Sequence, residues 1–248
     1  MRVLILLLFT FYSLLSLAMA QNSSLIQWRD TLHFTSQPHN PITATKTWKL
    51  CALYPSLKDS YWLSINYGMQ KAAKSYSIDL NVLEAGGYNQ LATQQKQITQ
   101  CQQWGADAIL LGSSTTAFPN LSQLVGNTPV IEVINATHDK TVKTRVGVPW
   151  FQMGYQPGRY LVQWSQGKPL KVLLMPGPLN AGGSLEMEQG FREAIAGSHV
   201  QIVDVAQGDN DIEVQRNLLH EMLERSPDID VVVGTAIAAE AAMGEGRN

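Results

Sequence analysis

Short apolar runs alternate with amphipathic segments along most of the chain, and this alternation constrains the fold more than any other feature. The predicted strand at 106–112 ends in the continuous apolar run AILLG, whereas residues 60–75 place apolar side chains at helical spacing. Continuous apolar strands separated by helices are typical of a parallel sheet covered on both faces, with right-handed crossovers. The sequence therefore predicts an α/β fold.

The predicted elements fall into two groups, which we interpret as two lobes. The first group has strands at 46–54, 79–85, 106–112 and 129–134, with helices at 60–75, 91–104 and 119–125. The second has strands at 171–175, 200–205 and 230–234, with helices at 151–165, 184–196, 212–225 and from 236 onward. The polar segment 137–148 is the predicted crossing, so we expect lobes over 46–145 and 146–248. Three parallel strands would leave a central strand as a bare edge, so we expect an incomplete second lobe in a chain that continues further.

The first twenty residues have the composition of a secretory signal peptide. Arg2 supplies the positive start, residues 3–17 are apolar, and Ala18-Met19-Ala20 is a small-x-small cleavage site. A membrane anchor is the alternative, which the cleavage site disfavours. We therefore predict that residues 1–20 are a signal peptide cleaved after Ala20, that residues 21–45 are a polar lead-in, and that the chain is exported.

Export would place Cys51 and Cys101 in an oxidising compartment, where a pair of cysteines can form a disulfide. Such a bridge would close roughly 50 residues and stabilise the fold by roughly 2–4 kcal/mol. Two buried free thiols are the alternative, and the sequence leaves both open. A thiol catalyst is disfavoured because the chain has no C-x-x-C motif.

Charge and motifs argue against several classes of function. The formal net charge is −2, so no basic surplus exists to neutralise the phosphates of a nucleic acid. Five His and two Cys are too few and too scattered for a Cys-rich zinc site. The sequence also lacks G-x-S-x-G, a P-loop, H-E-x-x-H and a G-x-G-x-x-G after the first strand. These absences argue against the α/β enzymes that carry such motifs, and we expect no metal or cofactor.

Aromatic residues gather where the predicted strands end, which is where open α/β sheets bind ligands. Tyr61 and Trp62 open the helix after the first strand, Tyr88 follows the second strand, and Trp150 opens the helix of the second lobe. Ring faces with few charges suit a small methylated, cation-like group, at roughly 0.5–2 kcal/mol per ring. The alternative is that the rings only pack the helix starts. Asp59, the one nearby carboxylate, either caps the first helix or faces a positive ligand charge.

Three runs resemble the periplasmic binding proteins of the ribose-binding and LacI-like type. They are WKLCALYPSLKDSYW at 48–62, LEAGGY at 83–88 and VGVPWFQMGY at 146–155. Within that family they are similar to periplasmic sensors of trimethylamine N-oxide (TMAO). The resemblance extends from about residue 25 to the end of the chain.

The resemblance implies a two-lobed, type I periplasmic-binding-protein fold that binds TMAO between its lobes and is not an enzyme. It further implies that the protein regulates the periplasmic sensor domain of a histidine kinase, whose phosphorelay induces TMAO respiration. Tyr61, Trp62, Tyr88 and Trp150 would contact the ligand, with Asp59 as a weaker member of the site. The ring faces of Trp62, Tyr88 and Trp150 would suit the methyl groups, and a hydroxyl such as that of Tyr61 could donate to the oxygen. The alternative function is a binding protein that delivers a sugar or small amine to an ABC transporter.

Overall fold

The computed structural model describes residues 24–28, 34–38, 44–137 and 139–245, and the chain divides into two compact units at residue 43. The first unit contains an antiparallel hairpin of β1 (Ser24–Trp28) and β2 (Phe34–Pro38). The sequence predicts no element here, because SLIQW and FTSQP have neither a long apolar run nor strict alternation. The predicted signal peptide lies outside the described residues.

The second unit begins with a five-stranded parallel sheet. Its strand order is β4-β3-β5-β6-β7. The strands are β3 (Lys49–Tyr54), β4 (Asp79–Glu84), β5 (Ala108–Leu111), β6 (Val130–Val133) and β7 (Thr144–Val146). The accompanying helices are α1 (Ser60–Ser75), α2 (Leu91–Trp104) and α3 (Leu121–Val125). Four of the five strands and all three helices lie where the sequence predicts them.

Strand β7 corrects the prediction that residues 137–148 are irregular. It pairs in parallel with β6, and its three residues are all exposed, so no apolar pattern marks it. Arg145 donates from Nε to the Oε2 atom of Glu132, 2.6 Å away, and Glu132 also accepts from the backbone N–H and the hydroxyl of Thr137. These side-chain bonds hold the edge strand that hydrophobicity does not specify.

Strand β3 is the centre of the first core, because its side chains alternate between the two faces of the sheet. Cys51 and Leu53 join a cluster with α2 and α3, while Ala52 and Tyr54 join a second cluster that contains Trp62. The sulfur atoms of Cys51 and Cys101 are bonded, so a disulfide joins β3 to α2 inside the first cluster.

A three-stranded parallel sheet follows, with strand order β10-β8-β9. Its strands are β8 (Leu170–Gly177), β9 (Val200–Gln207) and β10 (Val231–Gly234). Its helices are α4 (Trp150–Ser165), α5 (Ser184–Ile195), α6 (Ile212–Arg225) and α7 (Ala236–Glu245). One core cluster joins α4 and α5 to the sheet, and another joins α6 and α7 to it. Parallel sheets flanked by helices confirm the predicted α/β class. Among the described helices, none has the length and apolarity needed to cross a membrane.

Candidate functional site

A narrow cleft lies where the loops that follow the strands of both sheets meet. Tyr88 and Asn135 follow β4 and β6, Trp150 opens α4, and Asn210 and Thr235 follow β9 and β10; all five residues line the cleft. Its volume is about 30 Å³. A larger, open depression of about 730 Å³ lies along α4, but it is formed by that helix alone and lies away from the strand ends. The cleft is therefore the candidate site, at the position where parallel sheets bind ligands.

Trp150 contributes to the site from the first turn of α4. Its indole Nε1 donates to the carbonyl oxygen of Ile134, 3.2 Å away, in the segment after β6. Its ring packs against Gly183, where a Cβ would lie 1.8 Å from Cγ of the indole. The ring of Tyr61 lies 6.1 Å from that of Trp150, between centroids. Trp150 is thus held from both sides of the cleft and lines it, as the aromatic-site hypothesis expects.

Trp62 lies behind the cleft rather than in its lining. Its side chain is fully buried, with its ring 5.2 Å from that of Tyr54 and its far edge against Gly112. Its Nε1 donates to the Oη atom of Tyr88 at 2.8 Å. Trp62 therefore reaches the site through a hydrogen bond to Tyr88, and its ring faces pack in the core.

Asp59 caps α1, which is the simpler of its two predicted roles. Its Oδ1 atom accepts from the backbone N–H of Tyr61 at 2.8 Å, and its side chain is almost fully buried. Burial raises the pKa of Asp59, while hydrogen bonds from Tyr61 and Asn210 act in the opposite direction. The side chain of Asn210 accepts from the hydroxyl of Thr235 and so links Asp59 to the cleft.

Tyr61 lies between two other rings. Its centroid is 6.4 Å from that of Trp62, in an edge-on arrangement, and 6.1 Å from that of Trp150. Burial raises the pKa of its hydroxyl. The structure thus brings all five predicted residues into one connected group, of which Tyr88 and Trp150 line the cleft while Asp59, Tyr61 and Trp62 support it.

Residues 209–211, after β9, contact the first sheet's loops at three adjacent points. The Oδ2 atom of Asp209 accepts from the backbone N–H of Tyr88 at 2.9 Å, and Asn210 hydrogen bonds to Asp59. Asp211, which caps α6, forms an ion pair with Lys58 at 3.1 Å. That pairing lowers the pKa of Asp211 and raises the pKa of Lys58.

The prediction from aromatic residues at strand ends did not include the polar lining residues Asn135, Asn210 and Thr235. Each follows a predicted strand within a few residues, so a search for polar side chains at strand ends would have found them. No charged side chain lines the cleft among the described residues. In the same part of the chain, no cluster of His, Cys, Asp and Glu could hold a metal ion.

The model of the family described as periplasmic binding proteins and the sugar-binding domain of the LacI family matches residues 47–247. The chain is 71% identical to periplasmic protein TorT of Escherichia coli O157:H7 over 248 residues, which is all of this chain and 72% of that protein. Two crystal structures of a complex between the TorS sensor domain and TorT match with a TM-score of 0.70 at 44% identity. One was determined without ligand and the other with TMAO; the matches cover 81% of this chain and 70% and 69% of the other chains.

Proposed function

The chain belongs to the family of periplasmic binding proteins and LacI-type sugar-binding domains, and we propose that it binds TMAO in its cleft and regulates the sensor histidine kinase TorS. It is a homologue of TorT that acts in the periplasm, as a binding protein and not as an enzyme. Its partner is the periplasmic sensor domain of TorS, through which occupancy of the cleft enters the phosphorelay that induces TMAO respiration.

The observation that carries the proposal is the chemistry of the cleft lining. Rings, amides and hydroxyls line it, and no charged side chain does so among the described residues. TMAO has no net charge, because a formally positive nitrogen with three methyl groups balances the N-oxide oxygen. The ring of Trp150 suits the methyl groups, at roughly 0.5–2 kcal/mol per ring, and the phenol and amides supply donors to the oxygen.

The small volume of the cleft supports a role for lobe movement in signalling. Its volume of about 30 Å³ is far below the roughly 300–1,000 Å³ of common small-molecule sites. A ligand with three methyl groups therefore enters only when the two sides separate. Since a ligand can transmit a signal only through different affinities for two states, the expected switch is lobe closure around TMAO.

Calorimetric titration of the exported protein tests the ligand assignment. We expect saturable binding of TMAO, and no binding of glycine betaine or ribose at the same concentrations. Binding of ribose, or of none of the three, would refute the assignment to TMAO.

Co-purification tests the partner. The TorS sensor domain is expected to elute with the protein, in a proportion that changes when TMAO is added. Recovery with a permease instead would favour the transport function.

A further inference from the structure

We propose that Trp62 holds Tyr88 as a hydrogen-bond donor to the ligand's oxygen, so that the site selects methylated ligands that carry an acceptor. This inference deepens the proposed function and rests on it for the identity of TMAO. It gives Trp62 the role of a positioning residue and Tyr88 the role of the residue that determines specificity.

The bond from Trp62 to Tyr88 has only one possible direction. An indole N–H is a donor with no acceptor, so the phenol oxygen, 2.8 Å away, must accept from it. A phenol hydroxyl has one proton and two lone pairs. Trp62 therefore occupies a lone pair of Tyr88 and leaves the phenol proton for another partner.

Asn135 lines the cleft together with Tyr88. Its Nδ2 atom donates to the carbonyl oxygen of Ser113 at 2.8 Å. Because a carbonyl can only accept, that bond fixes which end of the Asn135 amide is the NH₂ group. Trp62 is therefore the donor that positions the Tyr88 phenol, and Asn135 holds the neighbouring part of the lining.

The phenol nevertheless keeps its proton. Burial is the dominant influence on Tyr88 and raises its pKa above the ordinary value. With a lone pair engaged by the indole of Trp62, the O–H group is left to donate into the cleft that Tyr88 lines. An N-oxide oxygen is a strong acceptor for such a group.

The donor behind Tyr88 cannot easily turn away. Trp62 is fully buried against Tyr54 and Gly112. On the other side, the backbone N–H of Tyr88 is held by Asp209. The direction of the phenol proton is thus set before a ligand arrives, which is how a preformed site gains specificity.

Tetramethylammonium is the probe that tests the hydrogen bond from Tyr88, because it has a methyl group where TMAO has its acceptor oxygen. With tetramethylammonium bound, the Tyr88 proton has no acceptor, so the wild-type protein should prefer TMAO. Removing the hydroxyl in Tyr88→Phe should lower the affinity for TMAO at least roughly tenfold and change that for tetramethylammonium by less than about twofold. The ratio of the two affinities, measured by calorimetry, is the readout.

Trp62→Phe keeps an aromatic ring and removes the indole N–H, so it tests whether Trp62 positions the hydroxyl of Tyr88. We expect a loss of TMAO affinity of roughly three- to fivefold in the wild-type background and none in the Tyr88→Phe background. Trp48→Phe, at a partly exposed tryptophan outside the cleft, is the matched control. Should Trp62→Phe fail to fold in a thermal unfolding experiment, Trp62→Tyr, which keeps an aromatic ring and likewise lacks the indole N–H, tests the same coupling.

The outcomes separate this inference from the proposed function. If the wild type does not bind TMAO, the proposed function fails. If the wild type binds TMAO and Tyr88→Phe leaves the TMAO-to-tetramethylammonium ratio unchanged, the specificity role of Tyr88 fails while the function stands. If Trp62→Phe lowers the affinities for TMAO and tetramethylammonium equally, Trp62 has only a structural role, and its proposed positioning role is overturned.

Discussion

Trp150 is the residue whose contacts join the two sides of the cleft. Its N–H is bound to Ile134 after β6, and its ring lies on Gly183 at the start of α5. Only glycine leaves room for the indole at that place, since a Cβ at position 183 would lie inside the ring's contact distance. The ring that we propose as a ligand contact is therefore also in contact with both sides of the cleft.

Replacing Trp150 with alanine should remove ligand binding while the fold remains. The ring contributes roughly 0.5–2 kcal/mol through its face, besides the apolar contact with the methyl groups. We expect Trp150→Ala to weaken TMAO binding at least roughly tenfold by calorimetry, with an unchanged circular dichroism spectrum. Trp164→Ala, at an exposed position on the same helix, is the control. An unchanged affinity in Trp150→Ala would remove this ring from the site.

Tyr54 makes the fold sensitive to alkali. It is fully buried, its hydroxyl contacts the sulfur of Met69, and burial raises its pKa from 10.0 to about 12. The folded chain therefore keeps a proton that the unfolded chain loses. This contribution is complete below the ordinary pKa and disappears as the pH rises through about 12.

Tyr54→Phe should accordingly flatten the loss of stability at high pH. Urea unfolding at about pH 9 and about pH 11 should show a smaller decrease in the free energy of unfolding for the variant than for the wild type. Tyr76→Phe, at an exposed tyrosine, should behave as the wild type does. Equal decreases in Tyr54→Phe and the wild type would contradict the role of buried Tyr54.

The sequence predicted which aromatic residues lie close together better than the direction in which each ring faces. Tyr61, Trp62, Tyr88 and Trp150 form one connected group, because strand ends in a parallel sheet meet at one edge. Whether a ring faces the core or the cleft depends on partners distant in the chain, however. Trp62 packs on Gly112 and binds Tyr88, and no local pattern around residue 62 specifies either contact.

At the scale of elements, the helix pair α4 and α5 carries one wall of the site. Glycines let the two backbones approach closely: a Cβ at Gly190 would lie 2.0 Å from the carbonyl oxygen of Phe151, next to Trp150. The close packing of α4 on α5 therefore fixes the position of the first turn of α4, where Trp150 lies. The position of Trp150 thus depends on a helix crossing at Gly190, seven residues after Gly183, the glycine that its ring contacts.

Adding a methyl group at this crossing should destabilise the fold. We expect Gly190→Ala to lower the free energy of unfolding by roughly 1–3 kcal/mol or more through overpacking, and to weaken TMAO binding. Gly68→Ala is the matched control, because Gly68 lies inside α1 with no atom near its would-be Cβ. That change should raise stability by roughly 0.5–1 kcal/mol. Urea unfolding checks both, and similar effects of the two changes would contradict the close crossing.

Elements with strong apolar signals were predicted and those without were missed. Strand β8 has six buried residues in succession and stands out in the sequence. Strand β7 has three exposed residues, and its place at the sheet edge comes from pairing with β6 and from the bonds of Glu132. Such an element exists only because the rest of the sheet is already formed, so local sequence cannot specify it.

At the scale of the whole molecule, residues 209–211 tie the second sheet's side of the cleft to the first. Asp209 holds the backbone of Tyr88, Asn210 holds Asp59, and Asp211 pairs with Lys58. In the proposed lobe closure, these contacts would break when the cleft opens for a ligand. The balance between the open and closed states would then depend on a few polar bonds, and we expect bound TMAO to favour the closed state.

The two outer contacts of this segment should contribute unequally to closure. The Lys58–Asp211 ion pair has side chains 70% and 23% exposed, so water and salt can replace it, and Lys58→Ala should change TMAO affinity less than about threefold. The carboxylate of Asp209 binds a partly buried N–H group beside buried Gly87, so Asp209→Ala should weaken TMAO binding roughly five- to tenfold. Asp209→Asn retains an acceptor oxygen and should lose less of the TMAO affinity than Asp209→Ala does.

Small-angle scattering should show a larger radius of gyration for Asp209→Ala than for Lys58→Ala at the same TMAO concentration. The reverse order would mean that the exposed ion pair, and not the bond to Tyr88, holds the cleft closed.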